Sequence, residues 1–197
     1  MQSKLDDVSA WTKENLMKLN ESKSKYIIFS RSKQEFNTRL QLNEQAIERI
    51  PAIKVLGVWI EEDMKWDLNT KQICKKSFTR IQMLSKLKYA GIKKDDLLTI
   101  YKLFIRSIAE YCSAVFHTSL TAQQTKKIEV IQKTSLKIIL GHEYTDYETA
   151  CIDCNLETLA QRREKRLLKF TIKCLDNPAN SVIPPKMQKV LVVKFSK

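Results

Sequence analysis

The sequence predicts an α+β chain: a small antiparallel sheet with one N-terminal helix, followed by a mainly α-helical bundle. Three observations carry this. Two short apolar, β-branched runs, at 25–31 and 53–60, fall in the first third of the chain. From Asp67 onward the apolar spacing becomes helical. The charge changes at about the same place. Residues 1–70 hold 11 basic and 11 acidic side chains, 71–142 hold 14 and 4, and 143–197 hold 10 and 7.

Each element follows from its residues. Ser3 with Asp6 resembles a capping box, and Leu5, Val8, Leu16 and Leu19 recur at helical spacing with Trp11 nearby, so a helix is expected up to Asn20. Lys-Tyr-Ile-Ile-Phe-Ser-Arg at 25–31 reads as a strand. Leu40-Gln41-Leu42, a turn at Asn43-Glu44-Gln45 and a return over 47–50 suggest a hairpin. Ile-Lys-Val-Leu-Gly-Val-Trp-Ile at 53–60 is the strongest strand, with Gly57 read as a bulge or a close backbone approach. Leu68, Ile73, Phe78, Ile81, Leu84 and Leu87 predict a long amphipathic helix ending near Gly91. A second helix is expected from Asp95 to about His117. Thr121 with Gln124 resembles another capping box, opening a third helix that Gly141 is expected to stop. A fourth runs from about 157 to 175. In the tail, Ile183-Pro184-Pro185 reads as an extended turn and Val190-Leu191-Val192-Val193 as a strand.

Composition bounds the function. The 197 residues carry 35 Lys plus Arg against 22 Asp plus Glu, a formal net charge of +13, with 43% hydrophobic residues, 3 Gly and 4 Pro. That is enough apolar chain for a real core and too little Gly and Pro for low-complexity classes. The positive excess points to a polyanionic partner, and its concentration in 71–142 to a localised basic surface. No stretch approaches the roughly 18 apolar residues of a membrane span, so no membrane partner is expected. The first residues lack a secretory core, and five cysteines form no dense framework. The expected location is intracellular, nucleus or cytoplasm unresolved.

Most catalytic chemistries lack their residues. There is no Gly-x-Ser-x-Gly elbow, and the two histidines, His117 and His142, are not placed near a candidate nucleophile. His142 follows Gly141 at a helix end, where an imidazolium would complement the dipole. Three glycines, at 57, 91 and 141, cannot form a phosphate-cradling loop. Cys151-x-x-Cys154 has metal-ligand spacing, yet no second ligand pair accompanies it, and two small buried residues on a short helix are the plainer reading. Asp6-Asp7 and Asp95-Asp96 are adjacent acids, which diverge on a helix rather than converge on a metal; capping is the expected role of both.

The basic middle third is the main candidate for binding. Lys71, Lys75, Lys76, Arg80, Lys86 and Lys88 lie on the first long helix, with Lys71 and Lys75 sharing a face. Lys93, Lys94, Lys102 and Arg106 follow on the next, and Lys126, Lys127, Lys133 and Lys137 on the third. Such rows can track a phosphate backbone, whereas solvated faces usually mix signs.

Four segments in order resemble the C-terminal part of a non-LTR (LINE-type, Jockey- or CR1-like) retrotransposon reverse transcriptase. They are Leu5-Asp6-x4-Trp11 with Asn15-x-Met17-x-Leu19-Asn20-x-x-Lys23-Ser24, similar to motif D; Ile53-Lys54-Val55-Leu56-Gly57-Val58-Trp59-Ile60 with Trp66, similar to the segment near the primer grip; Tyr101-x4-Arg106-x3-Glu110-Tyr111, then Ile128-Glu129-x-x-Gln132-Lys133 and Gly141, similar to the thumb; and Leu156-x-x-Leu159-x-x-Arg162-Arg163 with Phe170, similar to the trailing helices.

The resemblance implies three regions: an end-of-palm remnant over 1–66, a basic thumb-like region over 67–142, and trailing helices with a tail over 143–197. It implies a template–primer of RNA and DNA as partner. Lys23 would lie near the incoming nucleotide, Leu56, Gly57 and Val58 at the primer grip, and Lys71, Lys75, Lys76, Arg80, Lys86, Lys88 and Arg106 on the nucleic-acid backbone. The family's catalytic aspartates belong to motifs upstream of the Trp11 helix, so no catalytic residue, metal ligand or cofactor is expected here; Mg2+ would be held by those missing palm motifs. The chain therefore reads as a reverse-transcriptase fragment, inactive as a polymerase by itself. The alternatives are a helical protein-interaction module or a truncated copy of a longer active enzyme. Strands deprived of palm partners would leave a sheet edge open to pairing with another chain.

Overall fold

A computed structural model describes residues 2–29 and 39–176. The mixed α+β class holds. The chain divides between Leu68 and Asn69 into two compact units, and the tail segments at 183–185 and 190–193 lie outside the described residues.

The first unit begins with α1, Gln2–Glu14. Ser3 lies inside this helix rather than capping it, and the apolar residues expected to define its buried face are largely open: Val8, Trp11 and Leu16 are exposed, while Thr12 is buried. The helix stops six residues before Asn20. Asn20 instead caps the short 3-10 turn Glu21–Lys23, its Oδ1 accepting the Lys23 N–H at 3.0 Å.

Strand pairing differs from expectation in three places. The strand expected over 25–31 reduces, among the described residues, to β1, Lys25–Tyr26. The hairpin is tighter than expected: β2, Gln41–Leu42, pairs antiparallel with β3, Gln45–Ala46, around Asn43 and Glu44, both at positive φ. After it, β4, Glu48–Arg49, pairs with β1 in parallel, so the sheet is not wholly antiparallel.

The segment 53–60 is not one strand but a second hairpin. β5, Ala52–Val55, and β6, Val58–Glu61, pair antiparallel, with Val55 opposite Val58. Leu56 (φ 47) and Gly57 (φ 93) form its two-residue turn. Positive φ at both turn positions matches the right-handed twist of the strands. Gly57 is therefore neither a bulge nor a mid-strand glycine: it is the turn residue that reverses the chain. Val58 points inward at 6% exposure and Leu56 outward at 86%.

The second unit is helical. α2, Asp67–Tyr89, starts in the first unit, where the Leu68 N–H donates to the Glu61 carboxylate at 2.9 Å, an anion at the positive helix end. It ends before Gly91 (φ 82), as expected.

The single helix expected over 95–117 is broken into pieces. α3, Lys94–Ile100, runs into a π-helical turn, Tyr101–Ile105, in which the Arg106 N–H reaches back to the Tyr101 carbonyl. α4, Arg106–Glu110, then stops, and α5, Ser113–Phe116, restarts after Cys112 in the left-handed region (φ 50). No Gly or Pro marks this break. It falls where Glu110, 2% exposed, is held by arginines distant in sequence.

α6, Ala122–Leu140, carries both hydrogen bonds of the expected Thr121–Gln124 capping box and ends at Gly141 (φ 60). α7, Tyr147–Asp153, is capped by Asp146, whose Oδ1 accepts from the Glu148 and Thr149 amides. α8, Leu159–Asp176, opens with a second reciprocal pair, Thr158 and Gln161.

The core of this unit is made of Leu84, Leu97, Tyr101, Ile105, Phe116, Ile128, Ile131, Leu136, Ile139 and Leu159, all fully or almost fully buried. A polar chain runs through it. Tyr101 Oη donates to Gln132 Oε1 at 2.6 Å, and Gln132 Nε2 donates to the Glu157 carbonyl at 3.0 Å and lies 3.4 Å from Cys151 Sγ. Each member is satisfied, so the network fixes the core arrangement at little cost.

Candidate nucleic-acid interface

α2 turns Ile73, Ser77, Ile81 and Leu84 inward. Opposite them, Lys71, Lys75 and Lys86 fall within about 60° of one another at 100° per residue. Lys76 and Arg80 form a neighbouring stripe. All five side chains belong to exposed residues.

Two side chains of α2 reach carbonyls of α6, in the same order along both helices. The Cys74 thiol approaches the Lys127 carbonyl at 3.7 Å, and further along both helices Lys88 Nζ donates to the Ile139 carbonyl at 3.0 Å. Burial of Ile128, Ile131, Ser135 and Ile139 leaves Lys126, Lys133 and Lys137 outward within about 40° of one another. Lys127 is exposed beside them, and Lys137 Nζ sits 5.4 Å from the Tyr144 ring centroid.

Two residues of the expected row stand elsewhere. Lys88, though exposed, sends its Nζ to a last-turn carbonyl of α6, which is helix capping. Arg106 is 17% exposed, with its Nε 3.7 Å from the Glu110 carboxylate.

Four acids of the helical unit pair with cations outside the lysine faces: Glu143 with Lys94, Glu110 with Arg106, Arg162 and Arg166, Glu129 with Arg163, and Glu157 with Arg162 and Lys165. Among the described residues, Lys71, Lys75, Lys76, Arg80, Lys86, Lys126, Lys127, Lys133 and Lys137 form no ion pair. A face of that kind can neutralise phosphates and release their counterions.

The arginine cluster was not legible as a unit. Arg162 grips Glu110 through Nε and, at 3.2 Å, Nη2, while Arg166 Nη2 forms an ion pair with it at 2.8 Å. The Arg162 guanidinium is held above its ordinary pKa, first by the hydrogen bond to Glu110. Arg106 is pushed the other way, by burial and then by the positive charge of Arg162.

One turn away, Glu129 serves as a cap supplied from another helix. It accepts from the Leu159 and Ala160 amides at 3.2 and 2.6 Å and from Tyr147 Oη at 2.6 Å. Burial, and then this bond to Glu129, push the Tyr147 hydroxyl well above its ordinary pKa. Arg163, wholly buried, lies 3.7 Å from the same carboxylate.

The remaining candidates are scattered. Lys23 is exposed on its capped turn, and the tip of the β5–β6 hairpin carries Leu56 and Gly57. Cys151 and Cys154 are both buried, Cys151 within α7 and Cys154 at its end, and burial raises the pKa of each thiol. Among the described residues, no cluster of three or more His, Cys, Asp or Glu could hold a metal ion. No helix there is long and apolar enough to cross a membrane.

Comparison of the chain with protein-family models, with curated proteins and with solved structures finds no match.

Proposed function

We propose that this chain is a post-catalytic portion of a non-LTR retrotransposon reverse transcriptase, and that its own capacity is sequence-nonspecific binding of nucleic acid. The observation that carries the reading is the lysine face on each of α2 and α6, whose exposed cations form no ion pair among the described residues, while Glu110, Glu129, Glu143 and Glu157 of the same unit pair with other cations. The order of the four sequence segments supports the family reading.

In this reading the lysine faces lie along the backbone of a template–primer duplex. Binding is driven by counterion release and weakens steeply with salt. Lysine ammonium groups act as point charges on flexible stems, suited to phosphates without reading base sequence. Leu56, exposed at the hairpin tip, and Gly57 would supply the primer-grip-like contact. Lys23, on a turn fixed by Asn20, would approach a nucleotide triphosphate. Two-metal phosphoryl transfer needs converging carboxylates; the 197 residues contain no Phe/Tyr-Ala-Asp-Asp hairpin, so this chain by itself extends no primer.

The test is binding of the full chain to an RNA–DNA hybrid across a salt series, with Mg2+ and deoxynucleotides present. The reading expects salt-sensitive binding and no primer extension. Binding that is absent, or constant from low to high salt, would overturn it. Preference for an acidic protein over heparin in competition would favour the interaction-module alternative.

A further inference from the structure

A cluster of arginines surrounds Glu110, distinct in its chemistry from the lysine faces and independent of how those faces are read. The Glu110 carboxylate is 2% exposed, whereas the three guanidiniums around it reach progressively further out: Arg106 at 17%, Arg162 at 25% and Arg166 at 51%. Acid lies inside, with arginine between it and solvent.

Donors outnumber acceptors there. Each guanidinium carries five N–H groups. Arg162 fills one side of the carboxylate as a two-pronged pair and Arg166 takes a further position on Oε2. Arg106 is left over: its Nε is buried, stands 3.7 Å from Oε1 and makes no hydrogen bond.

Charges are also out of balance. Glu157 offsets part of the excess, at 4.0 Å from Arg162 Nη1, but it is shared with Lys165. Four cations thus face two carboxylates. A purely structural ion pair needs one arginine per carboxylate; three packed on a single acid repel one another, and an added anion relieves that repulsion.

We propose that Arg106, Arg162 and Arg166, preorganised by Glu110, form a phosphate-binding site. A tetrahedral oxyanion accepts from several guanidinium forks at once, and Arg is the side chain suited to that geometry. Glu110 is a positioning residue: it fixes the arginines and does not touch the ligand. The phosphate is either that of a free mononucleotide or a backbone phosphodiester.

The experiment titrates inorganic phosphate into the full chain in low-salt buffer by calorimetry. It is repeated on Arg166→Gln and on the double variant Lys71→Gln/Lys75→Gln. Arg166 is the variant of choice because it is half exposed and Arg162 keeps Glu110 paired without it; an unchanged circular dichroism melt verifies the fold. A saturable isotherm is expected, weakened about tenfold by Arg166→Gln and unaltered by the lysine changes. No saturable binding, wild-type affinity in Arg166→Gln, or equal weakening by the lysine variants would overturn the site. Should Arg166→Gln melt early, Arg166→Lys is titrated instead, with the same weakening expected and wild-type affinity overturning it. A mononucleotide and a dinucleoside phosphodiester then separate the sources: whichever competes with inorganic phosphate identifies the ligand, and competition by neither overturns the proposal. Loss of hybrid binding with this site intact would fail the lysine-face reading alone.

Discussion

Arg162 of α8 holds the buried carboxylate of Glu110 in α4 through both Nε and Nη2, across 52 residues of sequence. This pair ties α8 to the short segment that ends at the unexpected break. Glu110→Gln keeps the shape and removes the charge, leaving three guanidiniums without their shared anion. The expected loss is ~2–3 kcal/mol of stability, a moderate value because Arg162 and Arg166 retain contact with water. Urea unfolding measures it, and a shift under ~0.5 kcal/mol would mean that the pair does not anchor α8.

The β5–β6 hairpin depends on Gly57 at φ 93. Gly57→Ala places a Cβ where L residues are strained, and the expected cost is about 1–2 kcal/mol. Amide exchange of Ala52–Val55 and Val58–Glu61 reports this locally; faster exchange there, with α6 unaffected, is the predicted pattern.

Below neutral pH the helical unit should lose stability through His117. Its Nδ1 is buried without a hydrogen-bond partner, and burial, followed by the positive charge of Arg163, holds its pKa below the ordinary value near 6.5. The unfolded chain therefore takes up a proton before the folded one does. The stability is fully present above about pH 6.5 and declines as pH falls below it. Denaturant midpoints at pH 7.5, 6.5 and 5.5 should fall in that order, and His117→Gln should flatten the slope.

Hydrogen exchange should separate the two units. Every ladder of the first unit has only two strands among the described residues, and a two-stranded hairpin alone is marginal in water. Amides of 39–61 are expected to exchange much faster than those of α2 and α6. Strong, uniform protection of 39–61 in the monomer would show that the sheet is better covered than its ladders indicate.

Local signals were read well from the residues and distant ones were not. Thr121–Gln124 and Gly141 bound α6 as their chemistry requires, and the long amphipathic α2 ends before Gly91. Gly57 was visible, but a two-residue turn and a bulge share the same glycine in an apolar run. Only the pairing of Val55 with Val58 separates them. The break at Cys112 carries no local marker such as Gly or Pro, and it lies two residues beyond Glu110, which α8 holds from a distance in sequence. For the same reason Arg106 reads as one more cation in a row, and nothing local marks Lys88, an exposed lysine, as a cap on α6. Spacing reveals which face of a helix is charged; it does not reveal which charges the rest of the fold consumes.

The lysine faces are tested most directly by the salt dependence of hybrid binding in Lys71→Gln/Lys75→Gln/Lys86→Gln. Each lysine that touches a phosphate adds about one to the slope of log affinity against log salt. The wild-type chain should show a steep linear slope, and the triple variant a slope shallower by about three, at unchanged thermal stability. An identical slope in both proteins, or no salt dependence in either, would contradict the account.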